Sequence, residues 1–228
     1  MLSAHRTRVK ICGITRVEDA QAAVHAGADA IGLNFFQGSK RVITAAQARV
    51  ITRALPPFVM TVGLFVNADA QTVNTIADTA ELDLLQFHGD ESPEYCEAFG
   101  RPWIKALRVR PELDLEAAID AYNRGRGILL DAWHRDAWGG TGNTFNWQLL
   151  DSLGTVSSIV LAGGLDPANV GEAIRQCKPW AVDVSSGVES APGIKSSQLI
   201  AQFIAAVNEA DEKGSNVLSH VSTGNDPE

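Results

Sequence analysis

The sequence predicts an α/β fold, and within that class a single-domain (β/α)8 barrel of the TIM type. Three observations support this prediction. Short apolar runs recur eight times, segments with helical periodicity separate them, and polar or glycine residues cluster directly after the runs. Eight βα units in 228 residues suit the length of such a barrel. A doubly wound open sheet is the alternative, although it usually has fewer strands.

The predicted strands are apolar almost throughout, as is typical of strands buried on both faces of a parallel sheet. Their starts lie about 20 to 30 residues apart, which leaves room for one helix between successive strands. In chain order the strands are RVKIC (8–12), AIGLNF (30–35), TVGLFV (61–66), LLQFH (84–88), WIKALRV (103–109), GILLDA (127–132), SIVLA (158–162) and AVDVSS (181–186).

The segments between these strands have the periodicity of amphipathic helices. In the first, Thr15 and Glu18 have the spacing of a capping box, and Gly27 is placed to end the helix. The segment after the sixth strand, FNWQLLDSLG, is short. The others are TRVEDAQAAVHAGADA, TAAQARVITRAL, DAQTVNTIADTA, SPEYCEAFG, DLEAAIDAYNR, DPANVGEAIRQC and SSQLIAQFIAAVNEA.

Composition and charge exclude several classes of protein. Apolar residues make up 45% of the chain, which is a globular composition. No apolar run approaches the roughly 18 residues of a membrane span, and the start, MLSAHRTRVK, lacks the apolar stretch of a signal peptide. The net charge of −8 argues against a nucleic-acid partner. We therefore expect neither a membrane nor a nucleic acid as partner.

The three cysteines, Cys12, Cys96 and Cys177, are odd in number and far apart. They form no CxxC pair, so the sequence suggests neither a disulfide framework nor a zinc site. A reducing cytoplasm is the compartment that fits best.

The last twenty residues differ from the rest of the chain. Residues 209–228 contain five acidic residues and one lysine, and they show no apolar periodicity. We expect residues 1–208 to form the barrel and residues 209–228 to be a disordered, acidic extension without a functional role.

Polar residues follow most of the predicted strands. In a (β/α)8 barrel the C-terminal ends of the strands form the functional face, so these residues should converge there. They are Cys12 after the first strand, residues 34–41 after the second, and Asn67, His88, Arg108, Asp131, Gly163, Gly164, Asp183, Ser185 and Ser186 after later strands.

Two glycine-containing turns follow the seventh and eighth strands, LAGGLDPANV (161–170) and DVSSGVESAPG (183–193). Many barrels bind phosphate at these positions with backbone N–H groups and a short helix N-terminus. A single such turn is more often a simple turn, but two at these positions favour a phosphate site. A third turn, GGTGNTFNW (139–147), follows the sixth strand and is placed to close over the site.

Cys12 and Asp131 are the candidates for acid–base chemistry. A thiol and a carboxyl that face each other across a barrel mouth supply a base and an acid. A free cysteine is more often an inert core residue, and an aspartate is often a helix cap or a surface group. Asp131, however, directly follows a buried run, where desolvation would raise the pKa of its carboxyl.

Three further residues have weaker signals. Arg41 offers a planar fork for a substrate carboxylate, although an isolated arginine is usually a solvated surface group. His88 is more readily explained as a hydrogen-bonded histidine at the mouth than as an acid or base. Asp183 is equally suited to binding a substrate hydroxyl and to bracing the mouth of the barrel.

The motifs together resemble the phosphoribosylanthranilate isomerase family. They appear in the family's order over residues 9 to about 207, and KICGIT together with DVSSGVE is highly specific. Two positions depart from the usual pattern: Val42 replaces an aromatic residue and Asn146 replaces an aspartate. The motifs are VKICGIT, GLNFFQGSKR, VGLFVN, LQFHGDESPEYC, LLDAW with GGTGNTFNW, LAGGLDPANV and VDVSSGVESAPGIK.

The resemblance implies a (β/α)8 barrel of tryptophan biosynthesis that isomerises N-(5-phosphoribosyl)anthranilate without a cofactor or metal. By motif, Cys12 resembles the family's general base and Asp131 its general acid. Arg41 resembles the group that meets the anthranilate carboxylate, and Asp183 a substrate-contacting aspartate. Backbone around Gly163, Gly164, Ser185 and Ser186 would bind the phosphate of a small substrate. The sequence leaves open whether the chain is a monomer or a homodimer.

Two other functions remain possible on the residues alone. A phosphate-sugar lyase or epimerase would need a Schiff-base lysine, for which Lys105 is the candidate, or a metal cluster. The five histidines are scattered and suggest no such cluster. A non-catalytic protein that binds a phosphorylated ligand would not need both Cys12 and Asp131.

Overall fold

A computed structural model of the chain describes residues 6–110, 112–132 and 158–221. Its centre is a closed barrel of eight parallel strands in chain order. The predicted (β/α)8 barrel is confirmed, and the open sheet is excluded because β1 pairs directly with β8, Ile11 opposite Val184. The strands are β1 (Arg8–Cys12), β2 (Ala30–Asn34), β3 (Met60–Phe65), β4 (Leu84–Phe87), β5 (Trp103–Val109), β6 (Ile128–Ala132), β7 (Ile159–Ala162) and β8 (Ala181–Val184).

Helices follow the strands, as the periodicity predicts. The polar residue before a helix often caps it: in α2 the hydroxyl of Thr44 accepts from the backbone N–H of Gln47, whose side chain completes a capping box. The helices described are α1 (Val17–Ala26), α2 (Ala45–Arg53), α3 (Ala70–Ala80), α4 (Pro93–Glu97), α5 (Leu115–Ala121), α6 (Val170–Cys177) and α7 (Ser197–Val221).

Alternation along the strands separates two apolar layers. Val9 and Ile11 of β1 belong to the large core between the barrel and its helices, whereas Lys10 and Cys12 face the other way, into the barrel. The floor of the barrel interior is a separate apolar cluster formed by Val62, Leu84, Ile104, Ala106, Leu129 and Ala162. Polar side chains inside the barrel therefore lie above an apolar floor, at the C-terminal ends of the strands.

Of the two predicted ends of α1, the structure confirms only the C-terminal one. Gly27 ends the helix in the left-handed conformation, with φ of 106°, as predicted. The predicted capping box is wrong, because the N-cap is Arg16 and its side chain makes no capping bond. The hydroxyl of Thr15 instead donates to the carbonyl of Gly193, 2.5 Å away. Thr15 thus links the loop after β1 to the loop after β8.

The loop after β8 contains structure that the strand pattern does not reveal. A 3-10 turn (Ser186–Val188) leads into a small antiparallel hairpin of β9 (Glu189–Ala191) and β10 (Ile194–Lys195). This hairpin lies beside the barrel mouth, since Glu189 and Lys195 both bond to residues that line it.

The C-terminal helix is longer than predicted. Helix α7 continues past residue 208 to Val221, so the prediction of a disordered extension from residue 209 is wrong for residues 209–221. Ala210 is buried, and the carboxylate of Asp211 accepts bonds of 2.7 Å from both the N–H and the hydroxyl of Thr7. These contacts tie the helix to the start of β1.

Some predicted features lie outside the described residues. They are the turn at 139–147 with Asn146, the segment FNWQLLDSLG, and residues 222–228. Of the helices that are described, none combines the length and the apolar character needed to cross a membrane.

Candidate active site

A cavity of about 300 Å³ opens at the C-terminal ends of the strands. All eight residues proposed from the sequence as catalytic or substrate-binding line it. Asn67 and Arg108, which also follow strands, are not among its lining residues. The lining consists of Cys12, Gly13, Asn34, Arg41, Leu64, His88, Asp131, Ala162, Gly163, Gly164, Leu165, Asp183, Ser185 and Ser186.

Cys12 is the last residue of β1, and only 6% of its surface is exposed. Burial raises the pKa of its thiol, and the nearby carboxylate of Asp183 raises it further. The ammonium groups of Lys10 and Lys195 act in the opposite direction. Burial outweighs these cations, so the protonated thiol is the favoured form in the free protein.

Lys10 and Asp183 form an ion pair inside the barrel, beside Cys12. Their Nζ and Oδ1 atoms are 2.9 Å apart, and the side chains are only 7% and 9% exposed. The register of β1 and β8 places the two residues side by side. The carboxylate of Asp183 thus holds Lys10 in place and also lines the cavity, so both roles considered for it stay open.

Asp131 lies in β6, and a third of its side chain (33%) is exposed. It is thus more open than the buried run before it suggests. Its Oδ2 is 3.3 Å from Nε2 of His88, and Nδ1 of the same ring is 3.0 Å from Nε2 of Gln86. His88 is therefore a hydrogen-bonded histidine, as expected, but it lies in the cavity next to the candidate acid.

Arg41 is held by the hairpin after β8. Its Nε and Nη2 donate to the two carboxylate oxygens of Glu189, both at 2.7 Å. Lys195 donates to the same carboxylate at 2.9 Å. Although burial opposes it, these hydrogen bonds hold the pKa of Glu189 below its usual value. The aliphatic part of the Arg41 side chain passes over Gly13, where a Cβ would overlap Cδ of Arg41.

The turns after β7 and β8 are packed against each other. Gly163 and Gly164 have φ of 91° and 64°, in the left-handed region that favours glycine. A Cβ on Gly187 would lie 1.9 Å from the carbonyl oxygen of Leu165, so the two turns approach as closely as glycine allows. Ser185 is fixed by Lys195, which donates to its carbonyl at 3.0 Å. The two turns thus lie in close contact beside the cavity.

Sequence reasoning missed Lys10, Glu189 and Lys195. Lys10 stands in the quoted motif KICGIT, but its partner is 173 residues away. Likewise Glu189 and Arg41 are 148 residues apart. A buried charge in an otherwise apolar strand was the one available signal for Lys10.

Lys105, the lysine considered for a Schiff base, does not line the cavity. Its ammonium donates to the carbonyl of Gly89 at 2.6 Å and to the carboxylate of Glu91 at 2.8 Å, and both charged side chains are 3% exposed. Within the ranges that the structure describes, no three His, Cys, Asp or Glu side chains are arranged to ligate a metal ion.

Comparison with known proteins gives a consistent result. A family model described as N-(5'phosphoribosyl)anthranilate (PRA) isomerase matches residues 9–206. An N-(5'-phosphoribosyl)anthranilate isomerase of Pseudomonas putida KT2440 is 58% identical over 204 residues, which are 89% of this chain and 98% of the relative.

Solved structures agree with the sequence comparison. The crystal structure of phosphoribosyl anthranilate isomerase from Thermotoga maritima has a TM-score of 0.83 at 43% identity, covering 89% of this chain and 99% of that one. A crystal structure in complex with reduced 1-(o-carboxyphenylamino)-1-deoxyribulose 5-phosphate has a TM-score of 0.80 at 42% identity, with 89% and 99% covered. A crystal structure of monomers generated from the dimeric Thermotoga maritima enzyme has a TM-score of 0.77 at 39% identity, covering 89% of this chain and 98% of that one.

Proposed function

Because the chain belongs to the N-(5'-phosphoribosyl)anthranilate isomerase family, we propose that its cavity converts N-(5'-phosphoribosyl)anthranilate to 1-(2-carboxyphenylamino)-1-deoxyribulose 5-phosphate. One observation carries the assignment of residues. The thiol of Cys12 and the carboxyl of Asp131 line the same cavity as the two glycine-containing turns. A base, an acid and an anion cradle are thus available to one small substrate.

The reaction is an Amadori rearrangement, and it needs one acid and one base. Asp131 gives a proton to the furanose ring oxygen, the bond from that oxygen to carbon 1 breaks, and an iminium forms. Cys12, as thiolate, removes the proton from carbon 2 and leaves an enolamine. Carbon 1 then gains a proton from water while the 2-hydroxyl gives one to water, which yields the ketone. Asp131 regains a proton from solvent and Cys12 releases one to it, so protons balance over the cycle, and no electrons are transferred to another group.

The two catalytic groups are spaced to work from different sides of the sugar. Cys12 is on β1 and Asp131 on β6, three strands apart around the closed barrel. Asp131 borders His88, which bonds to it, whereas Cys12 borders the Lys10–Asp183 pair. The acid and the base therefore have separate supporting groups.

Arg41 is the group proposed to meet the anthranilate carboxylate. Glu189 uses Nε and one hydrogen of Nη2, which leaves the edge formed by Nη1 and Nη2 for a second carboxylate. A guanidinium can bind two carboxylates on different edges because its five N–H groups lie in one plane. Glu189 and Lys195 thus orient Arg41 and keep it from moving with the substrate.

The phosphate is proposed to bind where the turns after β7 and β8 meet. Gly163, Gly164, Ser185 and Ser186 line this part of the cavity. Asn169 fixes the first turn by donating to the carbonyl of Gly164 at 2.8 Å. Backbone N–H groups held in this way bind an anion without losing much conformational freedom.

No cofactor enters this scheme. We propose the cytoplasm as the compartment, since none of Cys12, Cys96 and Cys177 is in a disulfide. Monomer and homodimer both remain compatible with the chain, and light scattering on the purified protein distinguishes them.

The direct test is a fluorescence assay that follows the loss of N-(5'-phosphoribosyl)anthranilate. The wild-type protein should consume it without added metal or cofactor, and Cys177→Ser, which changes a thiol outside the cavity, should do so equally well. Binding of the reduced product analogue without turnover would instead support a non-catalytic binding protein and would overturn the proposal.

A further inference from the structure

We propose that Lys10 is a positioning residue for catalysis, whose ammonium group is shared between Asp183 and Cys12 and stabilises the thiolate that removes the substrate proton. This inference rests on the proposed role of Cys12 as the base. It adds a residue to the machinery that acts on the base rather than on the substrate and does not line the cavity.

The backbone of β1 and β2 places the two side chains together. Lys10 and Cys12 are two residues apart on β1, so both point into the barrel. Gly32 of β2 stands opposite Cys12 in the register. A Cβ on Gly32 would lie 2.7 Å from Sγ of Cys12 and 3.0 Å from Nζ of Lys10. The ammonium and the thiol therefore border the same small space, which only glycine leaves open.

The charge of Lys10 is confined to this space. The residue is 5% exposed, and its Nζ bonds to Asp183 at 2.9 Å. A buried ammonium needs a carboxylate partner, or it loses its proton. Asp183 thus keeps Lys10 charged, and Lys10 in turn is placed to act on Cys12.

Four charged groups face the thiol from the elements around it: Lys10 on β1, Asp183 on β8, Lys195 on β10 and Arg41 after β2. Burial raises the pKa of Cys12, and Lys10 is the foremost of the groups that lower it. Asp183 raises the same pKa, and Lys195 lowers it less than Lys10 does. The two members of the buried pair therefore have opposite effects on the thiol.

The proton balance of the cycle does not involve deprotonation of Lys10. The thiol of Cys12 loses its proton to solvent before the reaction, and the thiolate regains one from carbon 2 of the substrate. Lys10 stays an ammonium throughout, and only the strength of its interaction with sulfur changes. Removing Lys10 should thus affect how readily the thiolate forms and leave the phosphate and carboxylate contacts unchanged.

The test titrates Cys12 without turnover. Alkylation by iodoacetamide is measured from pH 7 to 11, a range that extends well above the usual thiol pKa of about 8.5 because burial raises the pKa of Cys12. Mass spectrometry quantifies the modified peptide. The thiolate displaces iodide to form a thioether, so the rate follows the thiolate fraction. The peptide containing Cys177 serves as an internal control in every sample.

Lys10→Met should move the alkylation midpoint of Cys12 to higher pH and slow alkylation at neutral pH about tenfold or more. Asp183→Asn removes the carboxylate that keeps Lys10 charged, so its midpoint should also lie above that of the wild type, but below that of Lys10→Met, because the opposing negative charge is lost as well. A midpoint of Lys10→Met that is unshifted or lowered would overturn the inference.

Lys10→Met leaves Asp183 buried without its partner, so a second variant guards against loss of the fold. Lys10→Met/Asp183→Asn removes both charges, and its midpoint should lie above that of the wild type because Lys10 has the larger effect. A midpoint at or below that of the wild type would contradict the inference. Because alkylation needs no substrate, the two proposals can fail separately. Unshifted midpoints with normal wild-type turnover would reject the role of Lys10 alone. Shifted midpoints without wild-type turnover would reject the proposed function alone.

Discussion

The two sides of the barrel mouth differ in how firmly they hold their functional groups. On the side of β1 and β8, Cys12 lies beside the buried ion pair of Lys10 with Asp183 and near the partly buried pair of Arg41 with Glu189. On the side of β4 and β6, Asp131 and His88 are 33% and 19% exposed and joined by one 3.3 Å contact. The proposed base is therefore held in a buried, charged environment, while the proposed acid is partly exposed.

This difference suits the two tasks. A thiolate must form against the effect of burial, so it needs fixed charges that do not rearrange during the reaction. An acid that gives up a proton in each cycle must recover one, and exposure lets water supply it. The comparison predicts that changes on the buried side affect both stability and catalysis, whereas changes on the open side affect catalysis alone.

The largest effect on the open side should come from Asp131→Asn. An amide cannot protonate the ring oxygen, so kcat should fall by about 10²–10⁴-fold, the usual contribution of a positioned acid. Since the side chain is partly exposed, the melting temperature should change little. Steady-state kinetics and thermal unfolding measure both. Near-normal turnover would show that another group is the acid.

Arg41→Lys should have the next largest effect, on the buried side. Lysine keeps the charge but loses the planar fork, so the KM for N-(5'-phosphoribosyl)anthranilate should rise by the equivalent of about 1.5–3 kcal/mol. The bidentate contact with Glu189 is lost as well, and stability should fall. Unchanged KM in steady-state assays would remove Arg41 from the substrate site.

Much of this architecture could be predicted from the sequence because it depends on local patterns. Each of the eight strands lies within two residues of its predicted bounds, since apolar runs and turns mark strands directly. The residues at the strand ends converge because a parallel barrel brings those ends together. The groups that support them could not be predicted, since the partners of Lys10 and Arg41 are 173 and 148 residues away.

Two local predictions failed for a related reason. Thr15 has the spacing of a cap, but its hydroxyl bonds to Gly193 on a distant loop. Residues after 208 lack apolar periodicity, yet Asp211 bonds to Thr7 at the other end of the chain. In both cases a tertiary contact outweighs the local pattern, and sequence spacing alone does not reveal it.

A smaller effect should follow from His88→Asn, which tests how much support the open side needs. The variant loses a single long contact to Asp131, so kcat should fall by the equivalent of about 0.5–1.5 kcal/mol, the net value of one hydrogen bond. KM and the melting temperature should stay near those of the wild type. A loss as large as that of Asp131→Asn would instead make His88 part of the acid itself.

The smallest effect should come from the far end of the molecule. Removal of residues 212–228 keeps Asp211 and its bonds to Thr7, so turnover and stability should be nearly unchanged. Asp211→Ala should lower stability by about 1–2 kcal/mol because it removes both bonds, again with normal kcat. Thermal unfolding distinguishes the stable truncated variant from the destabilised Asp211→Ala variant. A large loss of stability on truncation would show that residues beyond 211 dock on the barrel.

The most direct test of the account is the single-turnover rate of Cys12→Ser with substrate that carries hydrogen or deuterium at carbon 2. A serine hydroxyl is too weak an acid to serve as this base near neutral pH, so the rate should fall at least about 10²-fold. Proton removal then limits the reaction, and the deuterated substrate should react more slowly still. A rate near that of the wild type, or a large loss without an isotope effect, would contradict the assignment of Cys12 as the base.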